Sequence, residues 1–213
     1  MSARIKLWLV PVLLYAMFVF WYTDFAGPLS DTEISDLVSK MKNNGSSPEK
    51  IAMVEKFARE DSGRQFLMVN NIDYNEDPGD VEGAEAGETA EQLMARYMEH
   101  MIPATLSRAC HPVIMGTAIN SSMDILGIEG AEDWNASALF RYRSRRDFLE
   151  IVTNPAFAGK HHFKTAALDK TIAYPIETSL YLGDPRLLLG LILLALTALV
   201  DSLWLSGQTR LNQ

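Results

Sequence analysis

The sequence predicts an α+β fold, a mixed domain carried between two apolar helices. Three observations point there. Uncharged apolar runs, residues 7–22 and 187–200, stand near the two ends of a 213-residue chain. Between them the hydrophobic spacing alternates between strand and helix periods, in the order strand, helix, strand, strand, helix, strand. This middle also holds all but three of the 19 Lys and Arg and all but one of the 27 Asp and Glu, which is the composition of a solvated domain.

The ends come first. About 20 predominantly apolar residues in a helix cross a bilayer core. With their flanks, residues 5–25 and 187–205 reach that length, so both are predicted transmembrane helices. Arg4 and Lys6 precede the first and Arg210 follows the second. Positive charge on short flanks predicts that both termini are cytoplasmic and the domain lies across the membrane. Trp8 and Trp204 are then expected at the cytoplasmic interface, and Trp21, Tyr22 and Tyr181 at the outer one. The first run also has the basic start of a signal peptide. Its best cleavage position, after Ala26, puts Asp24 three residues back, so an uncleaved anchor is expected. Gly190, Ala195, Thr197 and Ala198 let another helix approach closely, although no GxxxG occurs. Asp201 is expected near the cytoplasmic interface, where a carboxylate needs no special partner.

Residues 29–63 read as a helical hairpin. Ser30 or Asp31 caps the first helix, with Glu33 in its first turn and Ile34, Leu37, Val38 and Met41 at helical spacing. Asn44 to Ser47 form a turn. Pro48 opens the second helix, whose apolar stripe is Ile51, Val54, Phe57 and Ala58. Gly63 ends it.

Residues 64–177 form the domain proper. Strands are predicted over 65–74, 113–119, 134–143 and 171–177. A helix runs from Thr89 to about Ala109, and a second helical stretch, 145–167, is interrupted near Asn154 and Pro155. The order β-α-β-β-α-β is the ferredoxin-like arrangement. After the first strand, Glu76, Asp77, Asp80, Glu82, Glu85 and Glu88 crowd a glycine-containing loop. EF-hand spacing is absent there, so the loop reads as solvated rather than calcium-binding. The acidic balance, a net charge of -8, argues against a nucleic-acid partner. The single cysteine, Cys110, permits no internal disulfide and reads as a small buried hydrophobe.

A resemblance covers residues 64–177. It rests on Tyr97-Met98-Glu99-His100, on the run from Phe140 through Arg141-Tyr142-Arg143-Ser144-Arg145-Arg146 to Glu150, on Asn154 to Phe157, on His161-His162, and on Lys164 to Leu168. These segments resemble the dimeric α/β-barrel superfamily and, within it, a bacterial family of unknown function. The resemblance implies a four-stranded sheet with helices on one face and a partner's sheet on the other. Relatives on that fold include cofactor-free monooxygenases, muconolactone isomerase and chlorite dismutase-like haem proteins. This chain departs from them by its two membrane spans, its helical hairpin and its acidic insertion. With a bacterial family, the expected location is the inner membrane, two-pass, with a periplasmic domain.

Candidate chemistry is sparse. Arg141 and Arg143 are suited to bidentate carboxylate binding, and His161 or His162 to general acid or base work near neutral pH. His161 and His162 point about 100° apart on a helix, which disfavours joint chelation. With no HxH, HExxH or CxxC pattern, no metal and no cofactor are expected. Alternation places Ala136, Ala138, Phe140 and Tyr142 on one face of the third strand, and Ser137, Leu139, Arg141 and Arg143 on the other; which one lines a pocket stays open. The preferred function is a membrane-anchored accessory or scaffold protein. Its expected partners are membrane lipid and either a second copy or another membrane-protein subunit. The alternatives are a cofactor-independent oxygenase or isomerase acting on a small apolar substrate, and a non-catalytic ligand binder.

Overall fold

The computed structural model describes residues 3 to 211. In chain order its elements are α1 (Ala3–Tyr22), α2 (Asp31–Asn43), α3 (Pro48–Arg59), β1 (Phe66–Tyr74), α4 (Ala90–Leu106), β2 (His111–Thr117), β3 (Ala136–Tyr142), α5 (Arg145–Val152), α6 (Pro155–Ala158), α7 (His161–Ala166), β4 (Leu168–Ile176) and α8 (Pro185–Leu211). They divide into two units: Met1–Phe25 with Ser179–Gln213, and Ala26–Thr178.

The first unit is a helix pair. Residues 3–22 and 185–204 are each long and apolar enough to cross a membrane. Polar contacts hold α1 to α8 near both ends. Arg4 Nη2 lies 2.9 Å from Asp201 Oδ2, and Trp8 Nε1 donates to the same oxygen at 3.1 Å. At the other end Arg186 Nη1 donates to Thr23 Oγ1 at 3.1 Å, and its guanidinium stands 5.5 Å from the Tyr22 ring centroid. Between them Gly190 lies under the Tyr15 ring, where a Cβ would come within 3.3 Å of a ring carbon. Asp201 thus departs from expectation: it is 5% exposed and has specific partners. The cause is apposition of the chain ends, which brings the carboxylate ending one apolar run against the cation preceding the other.

The second unit is the α+β domain. Local signals start its helices where expected. Ser30 and Glu33 form a capping box, Glu33 accepting from the Ser30 amide at 2.8 Å, and Thr89 with Gln92 forms another. Ser47 caps α3 with Pro48 at its start. Asn44 Nδ2, just after α2, donates to the Thr153 carbonyl at 3.2 Å, which ties the hairpin to the domain. Gly63 has φ +71°, and a Cβ there would sit 2.8 Å from the Gly27 backbone, so this crossing requires glycine.

The sheet order is β2-β3-β1-β4, with all neighbours antiparallel. With helices between β1 and β2 and between β3 and β4, this is the ferredoxin-like topology. β2 starts at His111 and β4 at Leu168, earlier than the apolar pattern alone places them. Trp134 and Asn135 precede β3. The Asn135 amide donates to the Ile72 carbonyl at 2.9 Å, and its side chain accepts from the Tyr74 amide. The stretch after β3 breaks into three short helices instead of two halves.

Three apolar clusters form the core, the central one joining the helices to one sheet face. Phe66, Met101, Cys110, Tyr142 and Ile151 form the central one, flanked by Met68, Phe140 and Phe148. Ile34, Met41, Ile51, Val54, Ala58 and Leu149 knit α2, α3 and α5 together. Ala90, Leu93, Phe163 and Ala167 join α4 to α7.

Candidate functional site

Register and core membership settle the two faces of the sheet. Phe66, Met68, Phe140 and Tyr142 belong to the central cluster. Alternation therefore turns Leu67, Val69 and Asn71 the other way, beside Arg141, Leu139 and Ser137 of β3. Ile176, Tyr174 and Ile172 of β4 and Ile114 of β2 complete that second face. Among the described residues, none of the three clusters draws a side chain from it. Ile114 is 61% and Tyr174 47% exposed. Beyond β2 the connection to β3 carries Ile119, Met123 and Leu126, all strongly exposed. The acids Asp124, Glu129, Glu132 and Asp133 sit in the same connection.

The arginines of the run after Phe140 are engaged inside the domain. Arg141 is fully buried; its Nε donates to Gln65 Oε1 at 2.8 Å and its Nη1 to the Ala109 carbonyl at 2.6 Å. Ala109 has φ +55°, so this bond steadies a left-handed turn between α4 and β2. Arg143 grips Asp147 with two bonds of 2.7 and 2.8 Å. The fork therefore binds a carboxylate of its own chain. Arg145 donates to the Phe57 carbonyl at 2.6 Å, stacks over the Phe57 ring and pairs with Asp61 and Glu177. Arg146 pairs with Glu33 at 2.7 Å.

The histidines are dispersed. His111 bonds the Pro112 carbonyl through Nδ1 at 2.9 Å. His162 Nε2 donates to the Glu82 carbonyl at 2.9 Å, anchoring α7 to the acidic loop. His161 turns to α4 instead, edge-on to Tyr97 with ring centroids 6.1 Å apart. Lys164 holds its Nζ 5.9 Å from the centroid of that same ring. Burial lowers the pKa of both Lys164 and His161 and raises that of Tyr97. The sequence places His161 on a helix and names Tyr97 and Lys164 only within the family resemblance, with no site role; the i, i+3 spacing of His161 and Lys164 is the signal that joins them. Among the described residues, no three His, Cys, Asp or Glu side chains are grouped to hold a metal ion.

No family model and no curated protein matches the sequence. Solved structures do. A protein of unknown function from Rhodopseudomonas palustris aligns at TM-score 0.50 and 15% identity, over 63% of this chain and 95% of that one. Its methylated form gives 0.51 and 17%, over 65% and 95%. A dimeric Bacteroides fragilis protein of unknown function and ferredoxin-like fold scores 0.32 at 13% identity, over 54% and 96%. The two Rhodopseudomonas structures match this chain in fold, and the fold class of the domain is ferredoxin-like.

Proposed function

We propose that this chain is a membrane-anchored accessory protein. Its two apolar helices hold the ferredoxin-like domain at a bacterial inner membrane, and the domain docks through its second sheet face on another copy or on a subunit of a membrane assembly. The observation that carries this reading is the apolar second face, with Ile114 and Tyr174 exposed beside Val69, Leu139 and Ile172. A sheet with helices on one side buries its other apolar face against something. Lys6 and Arg210 with Arg4 favour cytoplasmic termini and a periplasmic domain.

A photo-crosslinking side chain at position 174, in full-length protein in native membranes, tests the docking. It is expected to form one discrete adduct, whose mass tells a second copy from another subunit. Leu139→Arg is expected to abolish the adduct without unfolding the domain. Wild-type protein that gives no adduct and sediments as a monomer in mild detergent refutes the proposal.

A further inference from the structure

On the helix-covered side of the sheet, away from the docking face, a histidine and a lysine share one aromatic ring. The short helix α7 packs on α4, and the spacing of His161 and Lys164 directs both toward Tyr97. Lys164 is half-buried, and among the described residues no carboxylate is within 4.0 Å of its ammonium. Four other partly sheltered cations have such a partner: Arg143 has Asp147, Arg145 has Asp61, Arg146 has Glu33 and Lys170 has Asp73. The nearby charges add to the effect of burial at His161. The ammonium groups of Lys164 and Lys50 both act on His161 as like charges, adding to the effect of burial in lowering its pKa. Withdrawing an ammonium from water without a counter-charge is costly.

We propose that Tyr97, His161 and Lys164 form a binding site for a small oxyanion, a phosphate or carboxylate group. Lys164 supplies the point charge. The His161 N–H and the Tyr97 hydroxyl supply directed donors. The exposed side of His161 leaves the way in from solvent. A bound anion supplies the counter-charge that Lys164 lacks and favours the protonated imidazole of His161.

The test is NMR of histidine-labelled full-length protein in maltoside micelles, titrated with inorganic phosphate at constant ionic strength. The His161 signal is expected to shift saturably with phosphate and not with chloride. Lys164→Gln should weaken that binding about tenfold or more, as expected for loss of a charged partner. Lys164→Arg should largely preserve it, and Lys170→Gln should leave it unchanged. If Lys164→Gln fails to fold, Tyr97→Phe keeps the ring, removes one donor and should weaken binding about fivefold. A second arm without free phosphate, in phosphatidylglycerol nanodiscs, tells a lipid headgroup from a free anion by whether the His161 shift is already present. A linear shift identical with chloride and phosphate, with no shift in the nanodiscs, overturns the site, as does unchanged affinity in folded Lys164→Gln.

Discussion

Phe66→Ala probes the joint on which the domain turns. Phe66 is 1% exposed and sits in β1, a central strand of the sheet. Its ring stacks on Tyr142 with centroids 5.3 Å apart, and meets Phe57 and Phe148 edge-on at 5.5 and 5.7 Å. The substitution removes a side chain that touches α3, α5 and β3 together. Truncating a buried Phe to Ala costs about 3–5 kcal/mol through lost transfer energy and the cavity left behind. The surroundings here are aromatic rings fixed on three elements, which collapse poorly, so about 4 kcal/mol is expected. With a urea m-value near 2 kcal/mol/M, that moves the midpoint down by about 2 M. Phe66→Leu keeps most of the volume and should cost about 1.5 kcal/mol at most. Phe66→Ala and Phe148→Ala should fall short of additivity by about 0.5–1.5 kcal/mol, because they delete the same ring pair. Urea unfolding of full-length protein in micelles, followed by near-ultraviolet circular dichroism, measures all three. A midpoint shift below about 0.5 M for Phe66→Ala, or additivity of the pair, would refute a packed aromatic joint.

Two further outcomes are expected. Cys110 is fully buried, and burial pushes its thiol up to about 11; native protein at pH 7.5 should therefore alkylate with iodoacetamide about 100-fold or more slowly than urea-unfolded protein, and equal rates would contradict its place in the core. The hydrogen bond from Arg146, with those from Ser30, lowers the Glu33 pKa from 4.5 to about 2, so this carboxylate stabilises the fold fully above its unfolded pKa of about 4.5 and loses that contribution as pH falls toward 2. Because its side chain is 42% exposed, solvent screening reduces the effect to about 1 kcal/mol. Glu33→Gln should flatten the fall in stability between pH 5 and pH 3 by about that amount, and an unchanged slope would remove the pair from the stability balance.

Much of the domain is legible in its residues. Capping pairs such as Ser30 with Glu33 and Thr89 with Gln92 mark helix starts because the orphan amide and the side chain that satisfies it are three residues apart. The strand order follows from the alternating segments and the topology they allow. The faces of the sheet are not legible, since β1 is apolar on both: Phe66 and Met68 turn to the helices, Leu67 and Val69 away from them. β4 starts before its apolar pattern because Lys170 holds a strand position by pairing with Asp73 at 3.5 Å, a contact between residues far apart in sequence. The fates of Arg141 and Arg143 are hidden for the same reason. Their spacing suggests a fork open to a ligand, but Gln65, Ala109 and Asp147 occupy those donors, and only the tertiary fold brings Gln65 and Ala109 there. Asp201 and Arg4, 197 positions apart, lie beyond any local pattern.

That separation sets a timetable for biogenesis. Arg4 and Trp8 are synthesised 197 and 193 residues before Asp201. At about 5–20 residues per second, the intervening chain takes roughly 10–40 seconds to synthesise. Throughout that interval the first helix waits with its cation and indole unmatched, while the domain behind it has time to fold as a unit. The clasp between Arg4 and Asp201 therefore closes only once residue 201 has been made. A product truncated before residue 201 never acquires the clasp.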